Sequence, residues 1–298
     1  MRKIVFILVS LSFILAQSFS NFSFVGTKSM AMAGAVVSDI DDIESVLYNP
    51  AGLVNSDKYS LIIGNSSLYD LGFLNHNFLS ISFPNRMAVS IQELATDSKG
   101  SFLSFGSVEL SKESAISFSQ GFHLLDDANS TLSIGYNINA LIFSQAGSAG
   151  PNGDGTLGLP AGKSNSISVD IGIHAALRDK INFGAFVKNI NNPTIGKGSS
   201  QSHFPRLMNL GITYNPFDDL YTTFAFERVL GEDKTSFRFG ADYDLNNSLT
   251  LRSGIQMNPN RFGLGFCYSL EKIQLSYSLL THSILSSSNV ISIRVNFE

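Results

Sequence analysis

The sequence predicts an all-β protein: a transmembrane antiparallel β-barrel of about 14 strands with an N-terminal helical hatch, or plug, in its lumen. Charged residues make up only 15% of the chain, yet its mean hydropathy is only +0.14. From Tyr59 onward short segments alternate apolar and polar residues, whereas the stretch from Gly26 to Leu53 does not. Low charge without high hydropathy is typical of a membrane barrel, because only alternate residues of each strand face lipid.

The N-terminus has the features of a secretory signal peptide. Two basic residues precede an apolar run that ends at Ala16, and small residues follow up to Ser20. This order predicts export, with cleavage after Ser20. We therefore expect a signal peptide at residues 1–20, the hatch or plug at residues 21–56 and the transmembrane β-barrel at residues 57–298.

The strand pattern is clearest between residues 166 and 177. Ile167 and Ile171 fall on one face of this strand, and Ser168 and Asp170 fall on the other. A charge on the lipid face of a membrane barrel costs about 2–4 kcal/mol at the midplane, so we assign the charged residues of the polar rows to the lumen. These residues are Asp170, Lys188, Arg238, Asp242, Arg252 and Arg294.

The connections between strands alternate in length. Short links such as 178–180 alternate with longer ones such as 146–163 and 191–205, as the periplasmic turns and outer loops of outer-membrane barrels do. A chain that enters and leaves at the periplasmic side needs an even number of crossings, so we assign residues 101–110 to an outer loop or a strand extension. The expected strands begin near residues 59, 73, 86, 112, 130, 165, 180, 206, 219, 235, 248, 260, 271 and 289.

Many glycines have the parity of the inward row of their strands. Glycine weakens a strand but lets another backbone approach closely, which suits a barrel that holds a plug. Relief of crowding in a narrow barrel is the alternative explanation. The inward glycines are Gly121, Gly135, Gly172, Gly184, Gly211, Gly240, Gly254, Gly263 and Gly265.

The plug segment combines small residues with three acids and ends on the turn Asn49-Pro50-Ala51-Gly52. Two interpretations are open for Asp39, Asp41 and Asp42. They can form ion pairs with the inward arginines and latch the plug, or they can cap a helix that starts near Ile43, because acids are favourable at a helix N-terminus. Both roles are compatible.

The sequence offers no chemistry that points to an enzyme. The five histidines lie on separate strands and loops, outside any local catalytic motif. The glycine-rich residues 150–155 lack the spaced acids of a calcium loop, and the single Cys267 excludes an intramolecular disulfide. A net charge of −4 gives no electrostatic reason to bind nucleic acid. We therefore expect neither catalysis nor a cofactor nor a metal site.

The plug segment resembles the N-terminal segment of the FadL-like outer-membrane barrels, especially the compact PorV/PorQ-type members. Lys28 stands where an arginine is common in that family, and Ala33 stands where a second glycine is. Weaker matches on the strands, such as Asp170-Ile171-Gly172, extend the likeness over nearly the whole mature chain. The matching plug positions are Gly26, Met32, Gly34, Ala35, Asp41, Asp42, Asn49, Pro50, Ala51, Gly52 and Leu53.

This resemblance implies a fourteen-stranded barrel in the bacterial outer membrane, with lipid as a partner and a hatch in the lumen. FadL-type barrels admit hydrophobic molecules past the hatch, whereas PorV-type barrels handle exported proteins together with a secretion apparatus. We expect passive passage or binding of hydrophobic small molecules gated by the hatch, and we keep an accessory or scaffold role in protein secretion as the alternative. A soluble adhesin-like β protein is a third interpretation, supported only by the absence of Trp.

Overall fold

The computed structural model describes residues 24–40, 43–97, 109–150, 152–153, 157–178, 180–196, 201–231 and 235–297. The predicted signal peptide at residues 1–20 lies outside these residues, as do Asp41, Asp42 and most of the 101–110 segment.

Fourteen strands of the described chain close into an antiparallel barrel, which confirms the predicted fold class and strand number. The largest shifts from the expected starts are at β4 and β6, which begin at Glu109 and Gly162. The barrel strands are β1 (Tyr59–Ser67), β2 (Leu74–Phe83), β3 (Met87–Asp97), β4 (Glu109–Asp127), β5 (Ser130–Gln145), β6 (Gly162–Leu177), β7 (Ile181–Lys188), β10 (Leu207–Phe217), β11 (Leu220–Val229), β12 (Thr235–Asn246), β13 (Leu249–Met257), β14 (Arg261–Leu270), β15 (Ile273–Leu280) and β16 (Ser288–Phe297).

The first and last strands close the barrel. They pair antiparallel from Tyr59 opposite Phe297 to Ser67 opposite Asn289. Closure gives both edges of the sheet a hydrogen-bonding partner. Two further short strands, β8 (Thr194–Ile195) and β9 (Ser202–His203), pair with each other in the connection from β7 to β10.

The two ends of the barrel differ in the length of their connections. The links 128–129, 218–219 and 247–248 are short, and all lie at the end where β1 begins and β16 finishes. The longer links 68–73 and 281–287 lie at the opposite end. We call the end with the short links the turn end and the opposite end the loop end. The structure therefore has the asymmetry of connections that the sequence predicted.

The barrel wall is apolar outside and polar inside. In β6, Ile167 is 63% exposed whereas the next residue, Ser168, is fully buried. Phe237 in β12 and Ile291 in β16 are likewise exposed on the outer face. Large apolar side chains in a water-soluble protein are mostly buried, so this arrangement favours a wall that faces lipid over the soluble adhesin-like interpretation.

The lumen holds the N-terminal segment, which we call the plug (residues 24–56). It contains one short α-helix, α1 (Thr27–Ala31), and two 3₁₀ helices, Ile43–Leu47 and Pro50–Asn55. Every residue from 24 to 40 is buried. Among the described residues, no helix has both the length and the apolar character needed to cross a membrane.

A charged substitution on the outer wall tests whether that wall faces lipid. Leu264, in the middle of β14, is exposed on the outer face. We expect Leu264→Lys to lower the free energy of unfolding in lipid vesicles by about 2 kcal/mol, measured by urea titration. Leu264→Met is the matched control and should have a small effect. Equal stability of the two variants would contradict a lipid-facing wall.

Candidate functional site

The inward glycines form rows across neighbouring strands, which we call the glycine belt. Gly121 of β4 pairs with Gly135 of β5, and Gly135 pairs with Gly172 of β6. Gly184 of β7 pairs with Gly211 of β10. A third row joins β12, β13 and β14 through Gly240, Gly254 and Gly263. The belt therefore consists of three rows of glycine that together cover much of the inner wall.

The plug follows these rows. Met30 and Ala31 lie against Gly263, Met32 lies against Gly254 and Gly240, and Val37 lies against Gly184 and Gly211. Further on, Pro50 lies against Gly135 and Gly172, and Leu53 lies against Gly121. The plug thus passes the strands in the order β14 to β4, opposite to their order in the chain.

Glycine is required at these positions because no space remains for a side chain. At each inward glycine except Gly121, an added Cβ would come closer than 3.0 Å to a neighbouring atom. At Gly254 that neighbour is the main chain of Met32, and at Gly135 it is the main chain of Pro50. Of the two explanations for the inward glycines, the structure therefore favours admission of the plug.

The Asn49-Pro50-Ala51-Gly52 turn joins the plug to itself and to the wall. The Asn49 side chain donates from Nδ2 to the carbonyl oxygens of Val37 (2.7 Å) and Ile173 (3.2 Å). Its Oδ1 accepts from the amide of Ala51 at 3.2 Å and caps the following 3₁₀ helix, in which Pro50 is the first residue. At Gly52 a Cβ would overlap Ser45. The motif therefore closes a tight, fully buried turn.

The other predicted hatch residues lie in the first part of the plug. Gly26 and Gly34 have φ values of 93° and 82°, which favour glycine because a side chain would be strained there. Each also lacks space for a Cβ, Gly26 against Glu44 and Gly34 against Arg238. Met32 is fully buried between the belt and the rest of the plug.

Glu44 binds the start of α1, a role that the sequence reading missed. Its carboxylate accepts from the Thr27 amide (3.2 Å), the Thr27 hydroxyl (2.5 Å) and the Lys28 amide (2.9 Å). The amides at the start of a helix have no partner within the helix and favour an anion. In the sequence Glu44 is only one of several acids of the plug segment. Its partners Thr27 and Lys28 lie 17 and 16 residues earlier, so they cannot be found from local spacing.

Buried charges link the plug to the wall. Lys28 contacts Asp39 of the plug at 2.6 Å and Asp242 of β12 at 3.6 Å, and Arg252 contacts the same Asp242 carboxylate at 3.1 Å. Burial alone would lower the pKa of Lys28, but the carboxylates of Asp39 and Asp242 outweigh burial and raise it. Lys28 is therefore held as a cation between the plug and β12.

Arg238 makes a second link to the plug. Its guanidinium forms an ion pair with Glu227 of β11 and donates to the Gly34 carbonyl oxygen at 3.3 Å. The predicted lumen-facing residues Arg238, Asp242 and Arg252 thus lie inside the barrel next to the plug. The latch that we expected from the plug acids stays a prediction, because Asp41 and Asp42 lie outside the described residues. Lys28 and Glu227 were not among the residues predicted from sequence.

A narrow pocket of about 70 Å³ lies between the plug and the loop end. We call it the mouth pocket. Val46 and Leu47 of the plug form its floor, and the predicted lumen-facing residues Asp170 and Lys188 are in its wall. Asp170 is buried and accepts from Asn139 Nδ2 at 2.7 Å. The remaining lining contains both polar and apolar side chains. Among them are the polar His76, Gln92 and Glu113 and the apolar Leu94, Leu141 and Phe204.

Two polar chambers lie on the other side of the plug, at the turn end. Their volumes are about 280 and 250 Å³, and Arg294, the last of the predicted lumen-facing charges, lines both. Lys58 and Asp57 line the larger chamber, and Lys28 and Arg252 line the smaller one. The plug therefore separates a mixed pocket at the loop end from charged chambers at the turn end.

The outer wall has a groove of about 430 Å³ across β16, β1, β2 and β3. Its lining is mostly apolar and includes Ile63, Ile91 and Ile291. On the inner side of the same wall, the Phe78 ring occupies the place of a side chain at Gly64. Phe78 thus fills the inside of the barrel behind the groove, which we call the wall groove.

The geometry defines a closed fourteen-stranded barrel whose lumen is filled by a plug. Within the described residues, no group of three or more His, Cys, Asp or Glu side chains is placed to hold a metal ion. No family model matches the chain, and no curated protein matches it.

Solved structures do match. The chain is similar to the CymD monoaromatic hydrocarbon channel, with a TM-score of 0.63 and 13% identity over 93% of this chain and 99% of that one. It is similar to the P. putida toluene transporter TodX, with a TM-score of 0.61 and 14% identity over 93% and 99%. A Pseudomonas aeruginosa FadL homologue matches with a TM-score of 0.55 and 13% identity over 91% and 98%. The structural neighbours are thus FadL-type channels, and at these identities the likeness establishes the fold.

A side chain on the glycine belt should displace the plug. Gly254→Val places atoms inside the main chain of Met32, so we expect the plug to leave its seat and the ion conductance in planar lipid bilayers to rise. The matched control is Gly162→Val in β6, where a Cβ would meet open space. A folded Gly254→Val barrel that conducts like the unmodified protein would contradict the proposed requirement for glycine.

Removal of the buried cation should loosen the first part of the plug. Lys28→Met leaves Asp39 and Asp242 without their shared partner, and breaking a buried ion pair in this way costs roughly 3–5 kcal/mol. We expect a loss of stability of this order in urea titration, and faster hydrogen exchange at residues 24–40.

The control for this variant is Lys112→Met. Lys112 forms an ion pair of similar length, 2.7 Å, with Glu93, but both side chains are about one third exposed. Exposed pairs contribute only about 0–1 kcal/mol, so Lys112→Met should be nearly neutral. Equal effects of the two substitutions would show that the buried pair does not hold the plug.

Proposed function

We propose that this chain is an outer-membrane channel of the FadL type, through which small hydrophobic compounds pass or in which they bind, gated by the N-terminal hatch at residues 21–56. The observation that carries the proposal is the plug, which occupies the lumen along the glycine belt and separates the mouth pocket from the turn-end chambers. The similarity to a monoaromatic hydrocarbon channel and to a toluene transporter supports the same function.

We place the barrel in the bacterial outer membrane. The apolar outer face requires lipid as a partner, and the signal peptide expected at residues 1–20 provides the route of export. The chain would then begin at the plug, and residues 57–298 would form the wall. In this orientation the loop end with the mouth pocket faces outward, and the turn end faces the periplasm.

Passage requires the plug to move. A hydrophobic compound that enters the mouth pocket meets Val46 and Leu47, and the buried plug continues behind them. Movement of residues 43–56 would open a path to the turn-end chambers. Movement of Phe78 away from Gly64 would instead open a path towards the wall groove and the membrane. The ion pairs of Lys28 and the hydrogen bond from Arg238 to the Gly34 carbonyl oxygen hold the first part of the plug during either movement.

The alternative is an accessory or scaffold protein of outer-membrane secretion, like the PorV/PorQ-type barrels. One observation favours it: the mouth pocket is only about 70 Å³, and the plug behind it is tightly packed. A permanently sealed barrel would present exported proteins with its loop end rather than with its lumen.

Uptake by whole cells tests the proposal. The protein is expressed in a Gram-negative host that lacks its own channels of this kind, and initial uptake of radiolabelled toluene is compared with that of cells carrying an empty vector. We expect uptake several times faster with the channel. Leu47→Glu places a charge on the floor of the mouth pocket and should reduce channel-dependent uptake on the order of tenfold.

The control is Leu285→Glu in the connection between β15 and β16, where the leucine is already exposed. It should leave uptake unchanged. Uptake equal to that of the empty vector, together with exported proteins that crosslink to the loop end, would reject the channel and support the secretion scaffold.

A further inference from the structure

We propose that the mouth pocket selects compounds that carry a hydroxyl group, such as phenols, over plain hydrocarbons of the same size. This inference rests on the proposed function for its physiological meaning, but the binding site itself can be tested independently. It follows from the orientation of one buried amide in the pocket wall, that of Asn137 on β5.

Asp170 fixes the orientation of the amides around it. Its carboxylate accepts from the Asn189 main-chain amide at 2.8 Å and from Asn139 Nδ2 at 2.7 Å. Asn137 Nδ2 is a further donor at 3.5 Å. The Ser168 hydroxyl lies 3.4 Å from the same carboxylate but donates its proton to Asn189 Oδ1 at 2.6 Å. A carboxylate with two oxygens and three neighbouring donors is well satisfied, so Asp170 serves to orient the polar wall.

The amide of Asn137 can be oriented in only one way. Its Nδ2 faces two acceptors, the Asp170 carboxylate and the carbonyl oxygen of Val46 in the pocket floor, at 3.5 and 3.4 Å. Exchange of the amide nitrogen and oxygen would place an oxygen against both acceptors, which is unfavourable. The nitrogen is therefore fixed by its neighbours, and the oxygen occupies the remaining position.

Asn137 Oδ1 is buried, in a residue that is only 4% exposed, and it has no hydrogen-bond partner among the described residues. An unpaired buried acceptor is unfavourable, and a group that donates a hydrogen bond to it recovers that loss. A hydroxyl group has the donor that this oxygen lacks. A methyl group of the same size has none and leaves the oxygen unpaired.

The size and the remaining lining of the pocket fit one end of such a compound. A cavity that holds a whole benzene molecule is about 150 Å³, whereas the mouth pocket is about 70 Å³. It therefore takes the hydroxyl end, while the rest of the ring stays towards the loop end. Phe186, Phe204 and Leu141 supply apolar contacts for the ring. The pocket thus combines an acceptor in its polar wall with apolar side chains, which suits an amphipathic ligand.

Calorimetric titration of the purified full-length barrel in detergent tests this inference. The probes are p-cresol and p-xylene, which have the same shape and differ by one hydroxyl in place of one methyl group. We expect p-cresol to bind about tenfold more tightly than p-xylene, the factor that corresponds to one net hydrogen bond. Equal affinity for the two compounds overturns the inference, and this comparison requires no variant.

Two variants then assign the preference to Asn137. Asn137→Leu keeps the size of the side chain and removes the acceptor, so the preference for p-cresol should disappear. Asn209→Leu is the matched control: Asn209 is also buried on the inner wall, and its Oδ1 also has no partner among the described residues, but it does not line the mouth pocket. The Asn209→Leu variant should keep the preference for p-cresol over p-xylene. Loss of the preference in both variants, or in neither, overturns the assignment.

The same pair of compounds separates the two proposals. Tight binding of p-cresol without channel-dependent uptake of toluene supports the hydroxyl site and rejects the channel. Channel-dependent uptake of toluene with equal binding of p-cresol and p-xylene supports the channel and rejects the hydroxyl site.

Discussion

The close approach of two main chains determines the interior of this protein. The plug lies so near the inner wall that the wall carries glycine where the plug passes, from Gly263 on β14 to Gly121 on β4. Glycine weakens a strand, yet here it occurs in hydrogen-bonded rows across neighbouring strands. The hydrogen bonds of the closed barrel compensate for the side-chain contacts that these rows lack, and the plug supplies the packing instead.

Electrostatic contacts act on the plug unevenly. The first part, with Lys28 and Gly34, is linked to Asp242 and Arg238 of β12. These two wall residues in turn form ion pairs with β13 and β11. The last part is held by the Asn49 amide and by packing against β4, β5 and β6. Between them, Val46 and Leu47 form the floor of the mouth pocket, and Leu47 is half-buried. The plug is thus fastened at both ends, and a half-buried side chain lies where a ligand arrives.

Sequence reasoning succeeded where the information is local. The alternation of apolar and polar residues identified the barrel, its fourteen strands and the inward direction of Asp170, Arg238 and Asp242, because neighbouring residues of a strand point to opposite faces. It did not find the partners of these charges. Glu227 meets Arg238 and Glu44 meets the start of α1 only in the folded chain, and no spacing rule relates such residues. The orientation of the Asn137 amide depends on Asp170 of the next strand and on Val46 of the plug, so it could not be predicted from the sequence either.

The order in which the plug passes the strands has a consequence for assembly. Residues 27–31 pack on β13 to β16, and residues 50–55 pack on β4 to β6. The seat of this short N-terminal segment is therefore made by residues that are synthesised last as well as by residues near the middle of the chain. Contacts so distant in sequence form late in folding. The plug is synthesised before every strand of the wall but can reach its final position only when the barrel is complete, so a seated plug shows that the wall is finished.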